Sequence, residues 1–163
     1  MDYFIGFLHN KGYVNVDRME FRIQCQDKGV LEQLNIFLGG NGTVRGDILR
    51  TYGEEGVLKA LYYKEIELDG LSAGFIRGYF DANGGVYVRG NKYLQVTITA
   101  DKEMAYALQD ALITEGIESI VKPYKNSHQL VISKQTAAIR FRSYIYQIPV
   151  CRMEKNYSKL FSV

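Results

Sequence analysis

The feature that most constrains the fold is an internal duplication. The segment 4–16 recurs at 76–88, and after a two-residue insertion 22–28 aligns with 96–102. The glycines fall at matching places, Gly6 on Gly78 and Gly12 on Gly84. Each copy then continues into a segment whose apolar residues recur at helical spacing. Such self-similarity indicates two copies of one supersecondary unit.

The length limits how the two copies can be arranged. A chain of 163 residues can bury a good core but is short for two independent domains. We therefore expect one compact domain, 1–163, made of a first repeat at 1–68 and a second at 69–163. Because one chain already holds both copies, we expect a monomer with an internal pseudo-twofold axis.

The second repeat shows its elements more clearly than the first. The spacing predicts a helix over 71–80, with Asp69 or Ser72 as N-cap, and an end at Asn83 and Gly84, where glycine suits a left-handed turn. A hairpin follows, then a helix, a hairpin around 125–128 and a helix over 134–146. In the first repeat the second hairpin is placed near 45–51.

Two segments alternate strictly between apolar and polar residues, which is typical of a strand with one buried face. The apolar positions are Phe21, Ile23 and Cys25 in one segment and Leu94, Val96 and Ile98 in the other. Each repeat therefore reads αββαββα, an α+β fold in which antiparallel sheets lie under helices. The open face of each sheet must meet water or a partner.

Charge and composition narrow the class of protein. The net charge is +2. From residue 121 onward the chain has eight lysines or arginines and a single acid, Glu154. This part of the chain is therefore suited to bind a polyanion. No apolar run is long enough for a bilayer span, and the first residues lack the features of a signal peptide, so a soluble intracellular protein is expected. Cys25 and Cys151 have no metal-ligand spacing and are expected in the core.

The duplicated segment carries a recognisable motif. Residues 75–85 read Phe-Ile-Arg-Gly-Tyr-Phe-Asp-Ala-Asn-Gly-Gly, which resembles the signature of the LAGLIDADG homing endonucleases, and 4–12 resembles it more distantly. The likeness extends over nearly the whole chain, including Ile148 and Pro149 and the basic 152–159 tail. It implies that Gly6 and Gly78 let two motif helices pack closely, and that their ends lie above double-stranded DNA.

The resemblance also implies a metal site, from which this sequence departs. In the family the last Asp of each motif holds divalent metal, usually Mg²⁺, which activates water. The matching residues here are Lys11 and Asn83; a lysine offers no ligand and an asparagine only a weak neutral one, so any Mg²⁺ site is expected to be weak or absent. Asp81 and His9 match the other motif acid, which caps the helix end, and are expected to be structural.

Two further positions match groups that surround the family's active site. Gln26 matches a polar residue at the end of the second strand, and Lys134 matches a lysine at the start of the last helix. Such groups position solvent and stabilise phosphate charge. For both residues a plain surface role is equally compatible with the sequence.

A concave antiparallel sheet can lie in the major groove and read base edges there. The candidate readers are the polar residues of the alternating strands and the first hairpin of repeat two, namely Arg22, Gln24, Tyr87, Arg89, Asn91, Lys92, Gln95, Thr97 and Thr99. The expected phosphate contacts are Lys122, Lys125, Arg152 and Lys155. Each of these residues also has the simpler interpretation of a solvated surface side chain.

Three functions follow from these features. The first is duplex DNA binding with cleavage lost or impaired, the second an active or nicking metal-dependent DNA endonuclease that uses Asn83, and the third an RNA-binding, maturase-like splicing factor. Thirteen tyrosines suit base stacking on RNA, although most fall in helical stretches and suit a core. The sequence leaves open whether Lys11 and Asn83 are natural or engineered, the target site, and whether the host gene is an intron, an intein or free-standing.

Overall fold

The computed structural model describes residues 1–9, 11–65, 67, 70–90, 92–147 and 151–163. The first unit contains α1 (Asp2–Leu8), β1 (Tyr13–Asn15), β2 (Glu20–Gln24), α2 (Lys28–Phe37), β3 (Gly42–Arg45), β4 (Ile48–Tyr52) and α3 (Glu54–Glu65). The second contains α4 (Ala73–Asn83), β5 (Gly84–Arg89), β6 (Tyr93–Ala100), α5 (Lys102–Thr114), β7 (Ile120–Tyr124), β8 (Ser127–Ile132) and α6 (Gln135–Ile145), followed by α7 (Glu154–Leu160). The predicted α+β fold with two αββαββα units is confirmed. The expected boundary at 68/69 lies outside the described residues.

The two sheets have the same antiparallel topology. Sheet one has the strand order β1-β2-β4-β3 and sheet two the order β5-β6-β8-β7, so each central pair joins the two hairpins of its unit. The second hairpin of unit one, β3 and β4, turns at Gly46 with φ of 58°, within the segment where the sequence placed it. Within the described ranges, no helix has both the length and the apolarity to cross a bilayer.

Matching residues start the matching helices. Asp27 accepts a hydrogen bond from the Val30 amide at 3.2 Å, and Asp101 accepts one from the Met104 amide at 2.8 Å. These caps satisfy amides that have no partner inside the helix. In α4 the cap is Ser72, whose hydroxyl accepts from the Phe75 amide at 3.2 Å; the alternative, Asp69, lies outside the described residues.

The end of α4 differs from the expected left-handed turn. Gly84 has φ of −98° and ψ of 167°, which is extended backbone that any residue can adopt. Glycine is needed there for space, because a Cβ would overlap the ring and the backbone oxygen of Phe80. The left-handed glycine is its counterpart Gly12, with φ of 81°, so the two helices end differently.

Helices α1 and α4 pack together through their glycines. A Cβ at Gly6 would overlap the backbone oxygen of Phe75, and a Cβ at Gly78 would overlap the backbone oxygen of Tyr3. The two backbones are therefore in direct contact at the centre of the molecule. Each unit has its own apolar core on the helix side of its sheet, and Cys25 and Cys151 are buried, unpaired residues of the first core.

Candidate nucleic-acid interface

A cleft of about 780 Å³ opens where α1 and α4 end and the two units meet. Its walls come from the first sheet, from the end of α4 and from the start of the C-terminal segment. The lining includes Lys11, Arg22, Gln24, Gln26, Asp47, Ala82, Met153 and Lys155. The structure thus brings four of the residues expected to contact DNA or solvent at the motif ends, Arg22, Gln24, Gln26 and Lys155, to the same place as Lys11.

Lys11 binds across the interface between the two units. Its ammonium donates a hydrogen bond to the Ala82 carbonyl at 2.6 Å, one of the last carbonyls of α4, which has no partner inside the helix. The negative end of the helix dipole lies at the same point and favours a cation. Burial lowers the pKa of Lys11 below its ordinary value.

Lys64 holds the loop that presents Lys11. Its ammonium donates to the backbone oxygens of Lys11 at 3.0 Å and Gly12 at 2.6 Å. The end of α1 therefore receives a cation from α3, as the end of α4 receives one from Lys11. Sequence reasoning missed Lys64, because no local pattern shows that a residue more than fifty positions away caps this loop.

The residues at the helix ends do not fit a divalent cation. Asn83 turns its amide nitrogen back toward the Tyr79 carbonyl, at 3.5 Å, and Lys11 fills the neighbouring position with a positive charge. Among the described residues, no group of three or more His, Cys, Asp or Glu side chains is placed to hold a metal ion. Hard divalent cations require several oxygen ligands, usually with carboxylates among them.

Asp81 is buried and serves the structure. Its carboxylate accepts hydrogen bonds from the Tyr3 hydroxyl at 3.0 Å, the Tyr146 hydroxyl at 3.2 Å, the Met153 amide at 2.8 Å and the Asn156 amide group at 3.2 Å. These four donors come from α1, the end of α6 and the C-terminal segment. Asp81 therefore ties the motif helices to α7 and has no oxygen to spare for a metal.

Burial raises the pKa of Asp81 to about 6, although its four donors oppose the change. In the unfolded chain the pKa is about 3.9, so the folded state binds the proton more tightly. The resulting stabilisation is fully present below about pH 4 and is lost as the pH rises through about 6. We expect the free energy of unfolding of the wild type, relative to Asp81→Asn, to be about 2 kcal/mol larger at pH 4.5 than at pH 7.5. Urea titrations of both proteins measure this difference, and a difference that is constant with pH would contradict it.

His9 occupies the position in the first unit that Asp81 occupies in the second. Its ring contacts Phe75 and Tyr79 of α4, with centroids 5.6 and 6.2 Å away, and burial lowers its pKa. An imidazole that packs against two aromatic rings of the neighbouring helix serves the structure. This position carries no acid and adds no ligand to the cleft.

Lys134, the second expected peripheral residue, does not lie in the cleft. It precedes α6 as its N-cap residue, and its ammonium pairs with the exposed carboxylate of Glu118. It lines a separate depression with Gly116 and Arg140. Gln26 and Lys134 therefore lie in different places, and of the two only Gln26 lines the cleft with Lys11.

The open face of sheet two carries most of the expected base readers. Tyr87 is paired with Gln95, Thr99 with Gln129, and Lys122 with Gln129 on the other side. Arg89, Lys92, Lys122 and Lys125 are exposed. Asn91 lies outside the described residues.

Thr97 departs from the expected exposure. It is only 5% exposed, whereas its neighbours Gln95 and Thr99 are half-buried. It pairs with Gly85 on one side and with Val131 on the other, and a Cβ at Gly85 would lie 3.5 Å from the Tyr87 ring. The Tyr87 ring thus covers this row, and the hydroxyl of Thr97 is not presented to a ligand.

Arg152 is also engaged within the protein. Its guanidinium stacks 3.5 Å from the centroid of the Tyr157 ring, and its Nε donates to Glu154 at 3.2 Å. Cation–π contact and an ion pair hold the side chain on α7. Lys155, the next residue but two, is exposed and lines the cleft, so it is better placed than Arg152 to meet a phosphate.

Sequence reasoning missed most of the open face of sheet one. Arg22 pairs with Arg50 across β2 and β4, and Arg50 pairs with Thr43 across β3; Ile48 joins Arg45 in the next row. Arg45, Arg50 and Tyr52 are exposed. The alternation of Ile48, Arg50 and Tyr52 with buried Leu49 and Thr51 was the signal that could have identified them.

The duplicated helices, their glycine contact and the two four-stranded sheets agree with one family model. Residues 70–146 match the model of the LAGLIDADG-like domain. Over this range the chain is similar to the LAGLIDADG-like domain family. The matched range starts just before α4 and ends at α6, so it corresponds to the second unit. No curated protein has a matching sequence.

Solved structures extend the LAGLIDADG likeness to both units. The homing endonuclease I-WcaI bound to its DNA recognition sequence matches with a TM-score of 0.70 and 15% identity over 98% of this chain and 84% of its own. The N-terminal LAGLIDADG domain of DUF199/WhiA matches with a TM-score of 0.65 and 16% identity over 98% of this chain and 87% of its own. I-DmoI in complex with DNA and Ca matches with a TM-score of 0.60 and 18% identity over 88% of this chain and 87% of its own. The overall fold is that of the LAGLIDADG homing endonucleases.

Proposed function

We propose that this chain binds double-stranded DNA on the open faces of its two sheets and has lost metal-dependent double-strand cleavage. The observation that carries the proposal is the hydrogen bond from Lys11 to the Ala82 carbonyl at 2.6 Å. It puts a lysine side chain at the ends of the motif helices, where a nuclease of this fold needs carboxylates and a divalent ion.

The surface around this charge suits DNA. Arg22 and Lys155 line the same cleft, and the exposed Lys122 and Lys125 lie on the edge strand β7 of sheet two and in the turn that follows it. Cations spread along a surface follow a phosphate backbone, whereas side chains on the sheet faces reach base edges. Two of the similar structures contain DNA, which supports duplex DNA over RNA as the partner of this fold.

Two motif helices in one chain also support a monomeric DNA-binding unit. The α1 and α4 contact is already formed within the chain through Gly6 and Gly78. A dimer would need a second surface. The monomer therefore has both sheets available to one DNA site, with the pseudo-twofold axis between them.

The first test is the salt dependence of duplex binding. We expect the logarithm of the binding constant to fall steeply with the logarithm of the salt concentration, because each phosphate contact releases counterions. Lys125→Gln and Lys155→Gln should each weaken binding to every sequence and reduce the slope by about 1. Fluorescence anisotropy with a labelled duplex measures both quantities.

Lys59→Gln is the matched control for this charge change. Lys59 lies on α3, behind sheet one, with its ammonium 4.8 Å from the Phe37 ring, so the slope should not change. Tighter binding to structured RNA than to duplex DNA in the same titration would favour the splicing function. Absence of binding to either nucleic acid would overturn the proposal.

A further inference from the structure

The two open faces differ in chemistry. Sheet one presents three exposed arginines in two adjacent rows, Arg22 beside Arg50 and Arg45 beside Ile48. On β5, β6 and β8 the central rows of sheet two present uncharged side chains, with Gln95 beside Tyr87 and Thr99 beside Gln129. The second of these rows ends at Lys122 on the edge strand β7, which is a point charge without the arginine fork. Ile120, 59% exposed, continues the row of Thr97 and Val131. Arg89 lies at the hairpin end of that sheet, paired with Tyr93.

The arginines of sheet one are exposed to a ligand, and Arg22 also lies 5.9 Å from the centroid of the Tyr13 ring. Within the part of the chain that the structure describes, no ion pair holds Arg22, Arg45 or Arg50. Arg45 and Arg50 border a depression of about 360 Å³ on the face, together with Thr43, Ile48 and Tyr52. The neighbouring Gln24, in contrast, already donates to Asp47 at 2.5 Å.

The two rows that hold these arginines are spaced to reach alternate base pairs. The rows of Arg50 and Ile48 are two residues apart on β4, which corresponds to roughly 6.8 Å, and this is twice the base step of about 3.4 Å. Adjacent strands lie about 4.8 Å apart, so Arg22 and Arg50 reach different positions across the groove. A strand that follows the major groove would set its side chains over alternate base pairs.

Each side-chain type selects a base by its geometry. The arginine fork pairs bidentately with O6 and N7 of guanine, and glutamine pairs with N6 and N7 of adenine. Apolar groups such as the Ile120 side chain contact the thymine methyl. Lysine, a single point charge, cannot make the guanine pair in the same bidentate way.

We propose that the DNA site of this chain is asymmetric, with guanines read by Arg22, Arg45 and Arg50 in the half under sheet one and A·T pairs in the half under sheet two. The inference rests on the proposed function, because it requires duplex binding by the sheet faces. It names the class of target that this site recognises. The asymmetry follows from the two sheets having the same topology but different open faces.

Binding-site selection tests it with the full chain and a pool of duplexes that carry a randomised central segment. We expect one half-site enriched in guanine at two or more positions and the other enriched in A·T. The key variant is Arg50→Lys, which keeps the charge and removes the fork. It should lose about 5- to 150-fold of its preference for guanine at one position, while its affinity for unselected duplex changes less than about threefold.

Arg140→Lys is the matched control. Arg140 lies on α6, behind sheet two, where it donates to the Gly116 carbonyl at 3.0 Å, and it should leave both half-sites unchanged. Arg45→Lys is the second variant if Arg50→Lys lowers the melting temperature, and it should act on a different guanine of the same half. Three outcomes would overturn the inference and leave the proposed function standing. The arginine variants could lose guanine selection in both half-sites, they could keep it unchanged, or the wild type could bind duplex DNA without selecting a guanine-rich half-site. No duplex binding at all would overturn the proposed function itself.

Discussion

Replacing Gly78 with leucine should lower the free energy of unfolding by about 3 kcal/mol or more. A Cβ at this position would already overlap the backbone oxygen of Tyr3 and lie 2.9 Å from the Phe7 amide nitrogen. Backbone atoms of a packed helix cannot move aside as the end of a flexible side chain can, so α1 and α4 must separate. For a domain of this size the melting temperature should fall by about 6 to 12 °C.

Gly74 provides a control in the same helix. A Cβ there would meet the Asp2 side chain at 3.3 Å, on an exposed residue that can shift. Alanine also favours helix over glycine by about 1 kcal/mol, so Gly74→Ala should leave stability unchanged or slightly raised. Thermal unfolding followed by circular dichroism compares the two variants. A Gly78→Leu protein as stable as the wild type would show that the helices do not meet at this glycine.

The sequence was sufficient to predict the order of elements from α1 to α6 and the place of the helix pair, but not α7. Internal duplication and strand alternation are local signals, and they determined αββαββα, the central strands and the two core faces. Gly6 and Gly78 stood out because the repeat placed them at one aligned position. The family model covers the second unit alone, which agrees with the weaker motif seen in the first.

The sequence could not predict contacts that depend on side chains from distant segments. Lys64 donates to the carbonyls of Lys11 and Gly12, and Met153 and Asn156 donate to Asp81. No local sequence pattern indicates either set of hydrogen bonds. The burial of Thr97 depends on how the Tyr87 ring lies over Gly85. Lys134 was aligned by family position, but its neighbour Glu118 provides an ion-pair partner that the alignment did not consider.

The candidate base readers also divide into those that the sequence pattern identified and those that it missed. Arg22 and Gln95 were found because their strands alternate clearly, whereas Arg45 and Arg50 sit in a hairpin whose alternation is broken by Gly46 and Asp47. Register, which decides which side chains are neighbours on a face, became visible only with the paired strands.

The unaltered chain should make no double-strand breaks in DNA with Mg²⁺ or Mn²⁺. The Lys11 ammonium repels a divalent ion at the position where it would have to bind, and the Asn83 amide donates back into its own helix. A coordinated metal ion lowers the pKa of an attacking water to near neutrality, and the Lys11 ammonium cannot replace it in this role. Supercoiled plasmid that carries a selected binding site, incubated with the protein and metal, reports the result as linear product.

The double variant Lys11→Asp, Asn83→Asp supplies the two carboxylates, and Lys11→Asn is its matched control, because it removes the same ammonium and adds no charge. We expect the double variant, and not the control, to bind Mn²⁺ in calorimetry, since two carboxylates facing each other at the helix ends are the oxygen ligands that divalent ions require.

Linear product from the double variant would show that Gln26 and the rest of the cleft are those of a silenced nuclease. Metal binding without cutting would show that the cleft has changed beyond these two residues, in keeping with Lys134 lying outside it. Efficient metal-dependent cleavage by the unaltered chain would contradict the alignment of Lys11 and Asn83 with the metal-binding acids, and with it the proposed loss of cleavage.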